Sequence, residues 1–187
     1  MRPDHVRARL AQYRPRGLTV PGAGEAAVSL ILSPLRGGGC EALFIRRAVD
    51  PKDPWSGQIG LPGGRREDCD NDLLATALRE TLEEIGLSLT REQVLGRLDD
   101  TQPKGRGLPP IVFQPFVFEI DGRAATRLSA EVADVFWLPL ERIAASRKDA
   151  TVEEKGRRLT VPAYCVKDYV IWGATQRVLA RLFEILR

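Results

Sequence analysis

The chain has 187 residues, of which 43% are hydrophobic and 28% charged, and this composition excludes a disordered or low-complexity protein. Its longest apolar run, AAVSLIL at 26–32, falls far short of the roughly 20 residues that span a membrane, so we expect a cytoplasmic protein with no membrane partner. The net charge of +3 comes from mixed signs without an aromatic-rich basic stripe, which argues against a nucleic-acid partner.

The basic start of the chain, residues 1–22, is predicted to be an extension containing a short surface helix. Val6, Leu10 and Tyr13 recur at helical spacing and would pack this helix on the body, although an organelle transit peptide is the alternative. Residues 23–187 are predicted to form one domain. Its first strands, EAAVSLIL and CEALFIRRA, flank the turn RGGG and predict a hairpin.

The central segment predicts a helix, since Leu74, Leu78, Leu82 and Ile85 recur every three or four residues and Gly86 suits the position just past its end. The stretches that follow predict strands in VLGRLDDTQ, IVFQPFVFEI and ADVFWLPL, a helix through ERIAAS, two extended runs around Gly156 and a final helix in WGATQRVLARLFEILR. This mixed order predicts an α/β protein of the α+β type, with a mixed sheet packed between helices.

The central helix carries three carboxylates on one face. At about 100° per residue, Glu83 and Glu84 fall within about 60° of Glu80, while the leucines face the other way. Like charges at this spacing repel, and no lysine occurs between residues 60 and 90 to compensate. A hard divalent cation such as Mg²⁺ would relieve the repulsion, and the preceding LPGG allows a close backbone approach. A merely solvated acidic face is the alternative.

The segment GLPGGRREDCDNDLLATALRETLEEIGL resembles the signature of the Nudix hydrolases, G-x5-E-x7-R-E-U-x-E-E-x-G-U with U a bulky aliphatic residue. Its second half matches closely, with Thr81 where an aliphatic is usual. In its first half Asp70 replaces the glutamate and eight residues rather than seven precede Arg79. This spacing, and LFIRRAVDPKDPWSGQIGLPGG upstream, resemble the coenzyme A pyrophosphatase branch, whose upstream signature the chain matches in part.

The resemblance implies a Nudix-fold α/β/α sandwich that hydrolyses a diphosphate linkage with Mg²⁺ or Mn²⁺. By carry-over, the implied metal ligands are Glu80, Glu83, Glu84 and the Gly63 carbonyl. One glutamate, Glu80 in first place, could instead act as general base. Arg79 is expected to orient a carboxylate. The remote Glu131 is either a further acidic residue of the site or a surface glutamate.

The substrate is expected to be a small molecule containing a nucleoside diphosphate. Arginine and lysine side chains suited to phosphate flank the motif, and the candidates are Arg46, Arg47, Lys52, Lys104 and Arg106. Trp55 could stack on an adenine or fill the core. Coenzyme A or an acyl-coenzyme A, giving 3′,5′-ADP and 4′-phosphopantetheine, is the first hypothesis. ADP-ribose, a dinucleotide or another nucleoside diphosphate derivative is the second, and a non-catalytic ligand-binding module is the third. The oligomeric state stays open, with a homodimer as one option.

Overall fold

A computed structural model of the chain describes residues 1–103, 108–154 and 156–187. The helices are α1 (Pro3–Gln12), α2 (Leu73–Ile85), α3 (Leu140–Ala145) and α4 (Gly173–Ile185), with a 3₁₀ turn at Arg91–Gln93. The strands are β1 (Gly24–Pro34), β2 (Cys40–Arg47), β3 (Ile59–Gly60), β4 (Gly63–Arg65), β5 (Val94–Arg97), β6 (Ile111–Glu119), β7 (Val132–Pro139), β8 (Arg147–Glu154), β9 (Arg157–Val166) and β10 (Tyr169–Trp172).

The larger sheet is mixed and is organised around β1. Strand β1 pairs in parallel with β6 along its length, and its other edge is shared between two antiparallel neighbours. The end of β1 pairs with β2 at Leu32↔Ala42, whereas its beginning pairs with β4 at Val28↔Gly63. Strand β3 continues along the inner edge of β2, and β7 covers the outer edge. The β3–β4 segment is therefore inserted where β1 and β2 diverge.

Two apolar clusters cover the two faces of this sheet. One cluster joins the sheet to α1, α3, α4 and the smaller antiparallel sheet β8–β9–β10. The other joins it to α2. Val6 and Leu10 of α1 are buried in the first cluster, as predicted, and so are Val178, Leu182 and Ile185 of α4. The predicted α/β/α sandwich with a mixed central sheet is confirmed.

Helix α2 is fixed at both ends by local hydrogen bonds. The Asp72 carboxylate accepts a bond from the Ala75 N–H at 2.7 Å and caps the start, while Gly86 ends the helix with φ +66°. The prediction that its carboxylates and leucines lie on opposite faces is wrong in part. Leu82 is 51% exposed, whereas Glu84 is only 4% exposed and lies on the face that packs on the sheet.

The described part of the chain contains no helix that is both long enough and apolar enough to cross a membrane.

Candidate active site

A cavity of about 440 Å³ lies between α2, the β3–β4 segment and the start of α4. All three glutamates of α2 line it, together with Arg79, Gly63 and Gly64. The structure therefore places these residues, named from the sequence, in one cavity, and their chemical roles stay predictions.

Gly63 and Gly64 form the floor of the cavity, where neighbouring atoms lie too close for any side chain to fit. A Cβ on Gly63 would lie 2.2 Å from the Ala27 carbonyl oxygen, and the residue has φ +149°. A Cβ on Gly64 would lie 2.4 Å from the Glu80 carboxylate carbon. The bond from the Ser29 N–H to the Pro62 carbonyl, 2.8 Å, holds the segment to β1. The two glycines thus bring backbone directly under the carboxylates.

Glu84 is a buried carboxylate that receives two hydrogen bonds. The Gly63 N–H donates to its Oε2 at 2.9 Å, and Arg47 Nη1 donates to its Oε1 at 3.4 Å. Burial nevertheless raises the pKa of Glu84 to about 7, and the neighbouring carboxylates of Glu80 and Glu131 add to this effect. Burial also raises the pKa of Glu80. Placing negative charge at this site is therefore costly unless a positive group compensates.

Arg79 is the positive group that the carboxylates share in this structure. Its Nη1 donates to Glu80 at 3.0 Å and to Glu83 at 2.9 Å. Its Nε and Nη2 donate to the two oxygens of Asp70 at 3.1 and 2.9 Å. The bidentate contact fixes the guanidinium plane and leaves Nη1 for the glutamates. Arg79 therefore supplies the positive charge that the lysine-free stretch 60–90 otherwise lacks beside these carboxylates.

Asp70 is a positioning residue whose partner the sequence does not identify. Its side chain is 5% exposed and also accepts bonds from the Thr76 hydroxyl and the Glu67 N–H. The hydrogen bond from Arg79 lowers the pKa of Asp70 to about 2. The residue that departs from the family signature therefore holds the arginine that follows it.

The basic residues predicted to bind substrate separate into two groups. Arg47 lines the cavity, where its Nε donates to Asp53 at 2.6 Å and its Nη1 contacts Glu84. Arg46 and Lys52 lie along a neighbouring cavity instead. Lys104 and Arg106 lie outside the described residues.

Two further side chains left undecided by the sequence line the same cavity. Glu131, just before β7, lines it in addition to Glu67 and the three glutamates of α2. Trp55 is half-buried and meets Phe113 edge to face, with ring centroids 6.1 Å apart. The indole therefore forms part of the cavity wall rather than the centre of the core.

Thr81 occupies the signature position where an aliphatic is usual, and the structure gives a reason. Its hydroxyl lies 2.8 Å from the Ser29 hydroxyl and 2.7 Å from the Ala77 carbonyl oxygen. Both hydroxyl-bearing residues are fully buried. The two hydroxyls thus have hydrogen-bond partners although they are buried between α2 and β1. The sequence pattern alone does not indicate this pairing.

Within the described ranges, no three His, Cys, Asp or Glu side chains converge in this arrangement closely enough to hold a metal ion. The glutamates are engaged with Arg79, Arg47 and the Gly63 N–H instead.

The fold and the site define the class: an α/β/α sandwich whose acidic helix covers a glycine-floored cavity. The family described as NUDIX domain matches residues 25–159, and the chain belongs to it as a Nudix hydrolase. The predicted resemblance to this family and to its coenzyme A pyrophosphatase-like branch is confirmed.

Several curated relatives carry this similarity. The human protein named mitochondrial coenzyme A diphosphatase NUDT8 is 29% identical over 166 residues, covering 87% of this chain and 69% of the relative. The uncharacterized Nudix hydrolase NudL of Photorhabdus laumondii is 31% identical over 146 residues. The match covers 76% of this chain and 75% of that protein. An uncharacterized Schizosaccharomyces pombe protein is 38% identical over 52% of this chain, but the match spans only 31% of that longer protein.

Solved structures agree on the fold. A MutT/nudix family protein from Enterococcus faecalis superposes with a TM-score of 0.63 at 17% identity, over 92% of this chain and 64% of that one. The NUDIX domain of Shewanella oneidensis NrtR, solved with ADP ribose, superposes with a TM-score of 0.62 at 18% identity, over 96% and 97% of the two chains.

Proposed function

We propose that the protein hydrolyses the diphosphate linkage of coenzyme A or an acyl-coenzyme A, with Mg²⁺ or Mn²⁺, to 3′,5′-ADP and the corresponding 4′-phosphopantetheine. The observation that carries the choice of substrate is the similarity to the human coenzyme A diphosphatase, which covers 87% of the chain. The diphosphate of the small molecule is proposed to lie in the 440 Å³ cavity.

The donor chemistry of the cavity suits a hard divalent cation, although its glutamates are bonded to Arg79, Arg47 and the Gly63 N–H in this structure. Carboxylate oxygens are the ligands that Mg²⁺ and Mn²⁺ prefer. Burial raises the pKa of both Glu80 and Glu84, so a bound cation would stabilise their ionised forms. We assign the ligands to Glu80, Glu83, Glu84 and the Gly63 carbonyl. When bound, such an ion lowers the pKa of a coordinated water and neutralises charge on phosphoryl oxygens.

The protein's own groups then have separate tasks. As the alternative to metal ligation, Glu80, or Glu83 in second place, is proposed to accept the proton of the attacking water. Arg79 stays anchored on Asp70 while its Nη1 releases the glutamates. Water attacks one phosphorus, and the bond between that phosphorus and the bridging oxygen breaks. Arg47, held by Asp53 and Glu84, faces the cavity as a donor to phosphoryl oxygens.

A substrate panel with product analysis tests this proposal. Coenzyme A, acetyl-coenzyme A, ADP-ribose and a dinucleotide are incubated with Mg²⁺, Mn²⁺ or a chelator. We expect 3′,5′-ADP from the first two, no turnover with chelator, and loss of turnover in Glu84→Gln. Glu92→Gln, at an exposed glutamate in the 3₁₀ turn, is the matched control.

Two results would contradict the proposal. Turnover of ADP-ribose without turnover of coenzyme A would shift the substrate to other nucleoside diphosphate derivatives. Binding of these compounds without any turnover in either metal would identify a non-catalytic ligand-binding module.

A further inference from the structure

A second cavity, of about 870 Å³, lies directly beside the catalytic one. The two cavities share Gln58, Ile59 and Trp172. The backbone at Gln58 is fixed, because its carbonyl accepts a bond from the Arg47 N–H at 3.0 Å. A molecule whose diphosphate lies at the glutamates can therefore extend one of its arms over this ridge into the second cavity.

The charged side chains around the second cavity are unsuitable for a phosphate-rich arm. Arg46 and Lys52 are its cations among the described residues, whereas Asp50, Asp53, Glu153 and Asp168 are its acids. Asp53 is engaged by Arg47, which leaves three carboxylates against two cations. Arg46 itself lies over the Tyr169 ring, 5.7 Å from its centroid. An arm carrying additional phosphate would therefore meet like charge here.

Its apolar side chains suit a neutral, partly apolar chain. Val170 and Trp172 of β10 line the cavity, and so does Val49, a loop residue that is 86% exposed. Cavities that bind small molecules combine such apolar walls with a few polar groups and measure about 300–1,000 Å³. The volume of this cavity falls within that range, while its lining holds more polar and charged residues than apolar ones.

We infer that the second cavity binds the uncharged pantetheine arm of the substrate, and with it any acyl group on the thiol. This inference rests on the proposed function. Of the two arms that flank the diphosphate of coenzyme A, only the nucleoside arm carries a further phosphate. The charge around the second cavity therefore sets the direction in which the substrate lies, and its apolar walls accommodate the acyl chain.

The test compares two substrates and three proteins. Coenzyme A is compared with 3′-phospho-ADP whose terminal diphosphate oxygen carries a methyl group. This methyl ester keeps the nucleoside and the diphosphate but lacks the pantetheine arm. Val170→Trp fills the second cavity, and Thr160→Trp places the same side chain at an exposed β9 position outside both cavities. Val49→Trp fills the cavity from a loop residue and replaces Val170→Trp if that variant does not fold.

We expect Val170→Trp to lower kcat/KM for coenzyme A by about tenfold or more and to change kcat/KM for the methyl ester by less than about twofold, because only the remote arm loses binding. Thr160→Trp should change neither value. An equal loss for both substrates, or no loss for either, would overturn the inference.

Failure of the proposed function gives a different result, since the wild-type protein would then not hydrolyse coenzyme A. Pantetheine alone, observed by saturation-transfer NMR, still tests the cavity in that case. Binding that Val170→Trp abolishes and Thr160→Trp retains would support the inference, and absence of binding to the wild-type protein would refute it.

Discussion

Gly64→Ala is expected to abolish most catalysis without unfolding the protein. The new Cβ would lie 2.4 Å from the Glu80 carboxylate carbon and Oε1 and 2.5 Å from Oε2. Ordinary contact begins near 3.4 Å, so the carboxylate must withdraw by about 1 Å. A displacement of about 1 Å at a reacting group can cost about 100-fold in rate. We therefore expect kcat/KM for coenzyme A to fall by about 100-fold.

The stability of the same variant should change little, because only the far end of one side chain has to move. Gly64 does not have a positive φ, so alanine is compatible with its backbone. We expect the free energy of unfolding to stay within about 1 kcal/mol of the wild-type value. Gly37→Ala is the matched control, since it has no positive φ and no atom within 4 Å of the added Cβ. A folded Gly64→Ala enzyme with more than half of the wild-type kcat/KM would refute the reasoning.

The remaining predictions concern stability and the arginine of the site. The pKa of Asp70 is lowered from 3.8 to about 2, so its ionised form stabilises the fold by about 2 kcal/mol above pH 4, and this contribution is lost as the pH falls towards 2. Urea unfolding should therefore show Asp70→Asn to be less stable than wild type at pH 6, with the difference shrinking at pH 3; a constant difference would contradict this. Leu10→Ala should cost about 2–5 kcal/mol in denaturant unfolding because it opens the core, whereas Leu82→Ala, at an exposed position, should cost less than about 1 kcal/mol; equal costs would show that α1 is not packed. Arg79→Lys should lower kcat at least about tenfold in a protein that still folds, because lysine cannot make the bidentate contact to Asp70 and bond the glutamates as well; unchanged steady-state kinetics would contradict the assigned role.

The fold could be predicted from the sequence where one face of an element is buried. The spacing of Val6 and Leu10 and of Val178, Leu182 and Ile185 identified α1 and α4, and Gly86 marked the end of α2. The pairing of β4 with β1 could not be predicted, because three residues with two glycines carry no strand pattern.

The site was predictable in composition but not in its contacts. The carboxylates of α2 and the glycines before it could be named from the signature, whereas the burial of Glu84 and the exposure of Leu82 could not. A prediction from periodicity assumes that the buried face of a helix is its apolar face. This assumption fails at α2, because the cavity between the helix and the sheet is lined by polar side chains. The contacts of Asp70 with Arg79 and of Asp53 with Arg47 depend on loops whose paths have no period.

Strand β1 pairs with β2 at its end and with β4 at its beginning, and this arrangement separates the reaction centre from the second cavity. The reaction centre takes its shape from the main-chain pairing of β1 with β4 at Val28 and Gly63. The lining of the second cavity comes mostly from the loop between β2 and β3 and from β10, with single residues of β2, β3 and β8, outside that pairing. Under the inference that the second cavity binds the pantetheine arm, new acyl preferences can arise by replacing a few of its lining residues while the glutamates and glycines of the first cavity stay unchanged.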